Sequence, residues 1–536
     1  MTETGRRTRE ADRPGAVGAT TAPGGLALNP AAPATLLLRL LRPEHAGAWP
    51  ALARRRAEFP PGVLAAVVAH PHRDVRAALA RNPHVDPAAR GLLVDDPDPL
   101  VRALLCGPPR GTYTAAATRS PARAHHPLPA GARPVRPLPD DVIDRVLTTY
   151  DDESVAELIV SGQIPYRVRR AYGSHPSPRV RRLAAGRWEH LSEDERAALL
   201  ADPDAEVRES ARTRLSQDDA EAVEARLGPF PLTASHATAL ALVEFRLSRR
   251  VVDHVLESGL PGAAWMLAHN RTTPPDVVAV LAGDPDPRVR REVARREDLA
   301  PGLVASLAHD PDVRVRTEIS VRPGLGEDER AAIDHATDTG EDFGPFPHHE
   351  DPAPDPALSA AYARSRHPLL RRRAARDPAL PAPLAALLAR DDDLGVRVLL
   401  AHNHPAAPPE LLLRAYLEHP GAHRGLLTEN PRFPVAGLGA RFAAADEPDV
   451  RLLATLDPGL APAAADRLTR DTAPAVRAAA VRHPRLPAAR LSALLDDGEL
   501  RGAAAANPAL PESAMYALLG GGEGPEDRRE DGRAAS

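Results

Sequence analysis

Residues Asp391–Leu413, DDDLGVRVLLAHNHPAAPPELLL, and their copy at Asp471–Leu495, DTAPAVRAAAVRHPRLPAARLSALL, carry the pattern that decides the fold. An acidic turn leads into Val-Arg, an Asn or His stands near a proline, and a second proline precedes a leucine-rich run. Asp-Pro or Asp-Asp offers a helix N-cap and a helix-starting proline. Val396, Leu399 and Leu400 then fall at i, i+3 and i+4, one face of a short helix. Asn-Pro or His-Pro ends it, because the residue before proline is driven out of the α region; Asn82-Pro83, Asn430-Pro431, His483-Pro484 and Asn507-Pro508 are examples. A proline such as Pro381 or Pro487 restarts the chain, and Leu384, Leu387 and Leu388 are expected to form the apolar face of a second helix.

Val-Arg serves as a register mark. It stands at Val75, Val101, Val180, Val207, Val289, Val315, Val396, Val450 and Val476. Neighbouring marks are 26 or 27 residues apart in 75/101, 180/207, 289/315 and 450/476. His423-Arg424 fills the slot between 396 and 450, Leu370-Arg371 precedes Val396 by 26, and Leu500-Arg501 follows Val476 by 24. Trp49 and Ala263-Ala264 occupy two further slots, and the gaps 101–180 and 207–289 each hold about three degenerate periods. Helices this short are marginal alone in water, so each must bury its leucines and valines against the next layer. The expected fold is all-α: a right-handed α-solenoid of short helix pairs with a period of about 24–27 residues.

Composition fits such a stack. Of 536 residues 43% are hydrophobic and only 3% aromatic, so the apolar mass is mainly Ala, Leu and Val. The 59 prolines recur at fixed offsets as helix punctuation. All 68 basic residues are arginine, as a GC-rich genome would produce. The formal charge of −5 argues against a general nucleic-acid binder. Cys106 is the only cysteine, which excludes an intrachain disulfide and a thiolate metal cluster. No apolar run follows Arg6 and Arg7, and Leu36–Leu41 is short and broken by Arg39, so a cytoplasmic protein without a membrane span is expected.

One spacing recurs tightly. An aspartate precedes the marked arginine by six residues in Asp96/Arg102, Asp202/Arg208, Asp284/Arg290, Asp310/Arg316, Asp391/Arg397 and Asp471/Arg477, with Glu418/Arg424 as a variant. A ladder that fixes repeat register, each guanidinium bridging carboxylates of its own and the adjacent unit, accounts for an acid that accompanies the arginine in copy after copy. A stripe for phosphates or an acidic partner is the competing reading.

Around the array the sequence suggests a disordered tail at 1–33, amino-terminal repeats at 34–106 and a flexible Pro/Arg-rich linker at 107–139. Further repeats fill 140–333, an acidic insertion with His and Pro covers 334–356, carboxy-terminal repeats fill 357–519, and a polar tail ends the chain at 520–536. Linker and insertion are read as solvated loops.

The unit with Val-Arg, Asn-Pro, Leu-Pro and Leu-x-x-Leu-Leu-x-Asp resembles the leucine-rich repeat variant family over most of Trp49 to Leu519. The Asp-to-Arg offset also resembles HEAT repeats, which are longer. The resemblance implies an α-solenoid that works through binding surfaces. Some relatives in that family carry an iron–sulfur cluster on an amino-terminal Cys motif, and Cys106 alone cannot hold one.

No P-loop or His-Glu-x-x-His motif is present. His348-His349-Glu350-Asp351 is the best metal candidate, though adjacent side chains point apart. Trp49, Trp188 and Trp265 are expected in the core. The reading is a non-enzymatic scaffold without cofactor or metal, binding a protein or an extended peptide in a groove. The alternative is a HEAT-like nucleic-acid-binding or DNA-repair protein, which would need a basic concave face.

Overall fold

The computed structural model describes residues 21–114, 132–233, 235–338, 343–346, 348–421 and 423–520. The chain forms two compact units: unit 1, Met1–Ile164 with Leu412–Ser536, and unit 2, Pro165–Leu411. Among the described residues the regular secondary structure is helical apart from one two-residue parallel pairing, Thr112–Tyr113 with Arg133–Pro134. The α-helices are short, from the five residues of Pro87–Gly91 to the eleven of Ala205–Leu215.

The acidic turns start these helices as their chemistry dictates. Asp98, Asp204, Asp286, Asp312 and Asp393 are N-caps whose carboxylates accept a backbone N–H of the first turn. The marked valines Val75, Val101, Val180, Val207, Val315 and Val396 are wholly buried; each such burial is worth about 1.5–3 kcal/mol. Second helices lean on the first helix of the next repeat, as Pro61–Val68 does on Arg73–Ala80 and Ala382–Leu388 on Leu394–Asn403. In the second helix only part of the leucine run faces inward. Leu384 and Leu388 are buried but Leu387 is 52% exposed, since a two-turn helix packed on one side has no partner for a third leucine.

First helices stack on first helices. In unit 2, His236–Glu244, Ala263–His269, Pro287–Ala294 and Val313–Ser320 follow one another, and Pro368–Ala375 packs on Leu394–Asn403. In unit 1 the row joins the amino-terminal and carboxy-terminal repeats. Pro448–Ala454, Pro474–Val481 and Arg501–Ala505 stack in order; Arg501–Ala505 packs on Ala22–Leu28, which leads on to Trp49–Arg55, Arg73–Ala80 and Pro99–Cys106.

Three expectations from sequence need correction. Residues 21–33 are not part of a disordered tail: Ala22–Leu28 is a helix with Leu26 and Ala27 fully buried, because the carboxy-terminal repeat supplies the apolar face they need. Residues 1–20 and 521–536 lie outside the described residues. The segment 107–139 does not separate two blocks of repeats. Its described flanks hold buried Tyr113, Val135 and Leu138, and Asp152–Val160 packs directly on Pro99–Cys106, so the stack continues past it; residues 115–131 lie outside the described residues. The insertion 334–356 is fastened to unit 2 rather than solvated. Phe346 N–H donates to Asn403 Oδ1 at 2.6 Å, Arg372 Nη1 donates to the Thr337 carbonyl at 2.7 Å, and the Arg372 guanidinium lies 5.0 Å over the Phe343 ring. Residues 339–342 and Pro347 lie outside the described residues.

Candidate functional site: repeat ladders and an open edge

The Asp-to-Arg spacing produces a ladder whose wiring differs from a carboxylate on both sides. Arg290 donates Nε and Nη2 to the two oxygens of Asp310 at 2.7 and 2.9 Å, one repeat onward. Its Nη1 donates to the backbone carbonyl of Asp284, six residues back, at 2.8 Å. The six-residue spacing is therefore a side-chain-to-backbone bond. Arg102 reaches the carbonyl of Asp96, Arg208 that of Asp202, Arg316 that of Asp310, Arg397 that of Asp391 and Arg477 that of Asp471, all at 2.6–2.9 Å. The carboxylates are taken by the preceding repeat: Asp96 by Arg76, Asp202 by Arg181, Asp391 by Arg371 and Asp471 by Arg451, each as a two-pronged pair. Arg316 passes its remaining donors to Asp334 and Arg477 to Glu499. Asp284 faces a slot that holds Ala264 instead of arginine, and its Oδ1 accepts the Asp286 N–H at 2.8 Å. The arginine partners hold the Asp202 and Asp471 carboxyls below the usual carboxylate range.

A second ladder lies seven residues after several of the marks, at positions of which Asn82 and Asn507 read from sequence only as helix terminators. There a buried or half-buried side chain donates to carbonyls at the end of the preceding first helix. Asn82 reaches Ala53 and Arg56, Arg56 reaches Ala27 and Asn29, and Asn29 reaches Ala505 and Asn507. Asn507 in turn reaches Val481 and His483. In unit 2, Asn270 reaches Leu242 and Phe245, Arg296 reaches Ala268 and Asn270, and Arg322 reaches Ala294 and Arg296. Within these runs a clip residue's own carbonyl is taken by the next clip, as Asn507 is by Asn29, Asn29 by Arg56, Arg56 by Asn82, Asn270 by Arg296 and Arg296 by Arg322, which satisfies orphan acceptors at these helix ends. Past the 107–139 segment Gln163 fills this role, donating to the carbonyls of Leu105, Cys106 and Gly107 at 3.0–3.1 Å. The signal was present as Asn29-Pro30, a pair of the same kind as Asn82-Pro83.

Beside the ladders runs an edge formed by the ends of the first helices. In unit 2 two depressions open along it on successive repeats. One, of about 670 Å³, is lined by Arg187, Trp188, Arg214, Phe245, Arg246 and Arg271 among others. The next, of about 930 Å³, has an apolar floor that includes Leu299, Val304, Val321, Leu325 and Ile333. Arg246 and Arg271 are exposed and make no side-chain hydrogen bond or ion pair among the described residues. Trp188 is buried and donates its indole N–H to Asp218 at 2.9 Å, while Trp49 is half-buried against His70 and His72. Trp265 departs from the core expectation: it is 37% exposed and stacks on His269, which is bonded to Glu292 at 2.7 Å.

The remaining candidates are placed as follows. His348 Nε2 lies 3.2 Å from Asn403 Oδ1, and the carbonyl of Glu350 accepts from Arg169. Among the described residues no three His, Cys, Asp or Glu side chains converge as a metal site. Burial pushes the Cys106 thiol up to about 12, so it stays protonated. No helix among the described residues is long and apolar enough to cross a membrane. No family model matches the chain, and no significant match is found among curated proteins.

Proposed function

We propose that the protein is a non-enzymatic scaffold, and that unit 2 cradles an extended segment of a partner protein along the open edge of its first helices. The resemblance to the leucine-rich repeat variant family belongs to this reading, as does a cytoplasmic setting. The observation that carries it is the pair of depressions on successive repeats, one rimmed by unpartnered Arg246 and Arg271, the other floored by aliphatic side chains. A segment with acidic residues followed by apolar anchors matches that order. An extended chain advances about 3.3 Å per residue and helices pack 8–10 Å apart, so one repeat corresponds to about three residues of ligand.

The test places a photo-crosslinking residue at Trp265 and reads the partner captured in the native cell. A single dominant partner, lost on joint Arg246→Glu and Arg271→Glu substitution with unchanged circular dichroism, is the expected result. Capture that ignores the charge reversal overturns the assignment of this edge. Steeply salt-dependent binding of duplex DNA to unit 2, abolished by the same pair, would replace it with the nucleic-acid reading.

A further inference from the structure

Seven residues after the mark, Arg296 and Arg322 of unit 2 are consumed by the stack: following Val289 and Val315, they donate to carbonyls of the preceding layer. Arg187 and Arg214 hold the same place after Val180 and Val207, and neither makes that bond among the described residues. Arg214 donates to Gln217 Oε1 at 3.0 Å, within its own layer. Arg187 follows the helix Pro178–Ala184 and is half-buried, its guanidinium 5.3 Å over the Tyr166 ring. Stacking occupies the face of a guanidinium and leaves the N–H donors on its edge. Those of Arg187 have no acceptor among the described residues.

Both arginines line the depression of about 670 Å³, together with Arg196, Arg246 and Arg271. Arg196 is engaged, donating to the Trp188 carbonyl at 3.0 Å. Arg187, Arg246 and Arg271 stand at the ends of three different first helices, with free donors on the wall of one cavity. The acids of that wall are Glu189, Asp218 and Glu244. Asp218 accepts the Trp188 indole N–H at 2.9 Å, and among the described residues none of the three acids pairs with these arginines.

Three unpaired guanidiniums exceed what one carboxylate satisfies. In the Asp–Arg ladder both oxygens of Asp310 are filled by the Nε and Nη2 of a single arginine, Arg290. A phosphomonoester carries about −1.5 to −2 charge at neutral pH and three acceptor oxygens, enough for several guanidinium forks at once. The two aromatic rings of the wall, Trp188 and Phe245, have the guanidiniums of Arg196 and Arg226 over them at 5.6 and 4.9 Å. A face of each ring is thereby withheld from a nucleobase, and the net charge of −5 opposes a long polyanion at a distance. The aliphatic floor of the neighbouring depression suits the apolar side chains of a protein segment.

We infer that the 670 Å³ depression of unit 2 seats a phosphorylated side chain of the partner segment, with Arg187, Arg246 and Arg271 holding the phosphate. Binding at the unit 2 edge, the reading on which this rests, then depends on phosphorylation of the partner. The unmodified hydroxyl is refused, because three guanidiniums would lose hydration against a neutral group.

The probe is a labelled peptide library, degenerate except for a fixed central phosphoserine, with matched libraries that carry serine or glutamate there. Binding to the full chain is read by fluorescence anisotropy. The phosphoserine library is expected to bind at least about tenfold more tightly than the glutamate library, and the serine library more weakly still. Arg187→Gln should weaken phosphoserine binding about tenfold, as one lost charge-assisted contact does. It should leave the melting temperature unchanged, since that guanidinium makes no hydrogen bond in the stack. Glutamate bound as tightly as phosphoserine, or phosphoserine binding indifferent to Arg187→Gln, overturns the phosphate assignment. So does duplex DNA bound more tightly than the phosphoserine library with the same arginine dependence. Failure of all three libraries to bind also overturns it, and the peptide-groove reading falls with it only if the Trp265 crosslink ignores the joint Arg246→Glu and Arg271→Glu substitution.

Discussion

The side-chain amide of Asn29 donates to the backbone carbonyl of Asn507 at 2.7 Å, across 478 residues of sequence. A second bond, 3.0 Å, goes to the carbonyl of Ala505. The same geometry links Asn507 to Val481 and His483, and Asn82 to Ala53 and Arg56. The first and last described helices of the row therefore meet as two consecutive repeats, in register, and the seam between them uses the same clip as the interior of unit 1. Thr35 Oγ1 and the Tyr516 hydroxyl, 2.6 Å apart, close the second-helix side.

Asn29→Ala should cost about 1–3 kcal/mol, because two buried carbonyls lose their donor. The seam also depends on the absence of side chains. A Cβ on Gly25 would stand 2.0 Å from the Gly502 carbonyl oxygen and 2.8 Å from Ala505 Cβ. Gly25→Ala is expected to destabilise unit 1 more than Asn29→Ala. Gly62→Ala, in a helix with nothing within 4 Å of the new methyl, should be neutral or stabilising by up to about 1 kcal/mol. Urea denaturation of the three variants checks the order.

Deletion of residues 1–33 should behave as removal of a repeat. It strips the partner from Arg501–Ala505 and uncovers Ala503, Ala504 and Ala505, which are all buried at present. The expected outcome is earlier unfolding of unit 1 and faster amide exchange in 501–519. An unchanged exchange pattern there would mean that the amino-terminal helix does not hold the carboxy-terminal repeat.

For the Asp–Arg ladder, Arg290→Lys should recover little of what Arg290→Ala loses, since an ammonium cannot span both Asp310 oxygens and the Asp284 carbonyl. A double-mutant cycle of Arg290→Ala with Asp310→Ala should return a coupling of about 1–3 kcal/mol. A coupling near zero would reduce the ladder to a surface ion pair.

Acid should weaken the fold in two stages. Burial, with His335 the next cause, holds His367 down to about 4, against 6.5 ordinarily; its Nε2 lies 2.9 Å from Ser320 Oγ. A lowered folded-state value means stability complete above about pH 6.5 and lost as pH falls from there towards 4, because the unfolded imidazole takes up a proton that the buried ring refuses. The ladder carboxylates follow. Asp202 and Asp471 are held below the ordinary value by their arginines, so their contribution stands above about pH 4 and fades below it. His84 is held down to about 4 as well, chiefly by burial, so His367→Gln should reduce the first stage without removing it and leave the second, as read from denaturation midpoints at pH 7, 4.5 and 3.

The Val-Arg period, the Asp-Pro caps and the paired prolines determined an all-helical array from the sequence alone. These are local effects, set by dihedral preference and by the apolar face of two turns of helix. The Asp–Arg spacing was legible as a contact, but which atoms it joined was not, because a carboxylate and the carbonyl of the same residue lie equally within reach of a guanidinium. Only the tertiary structure decided that Asn29 clips onto Asn507, that residues 21–33 are a layer of the stack and that Leu387 faces outward. Each of these depends on how layers far apart in sequence pack on one another, and no single repeat's sequence contains that packing.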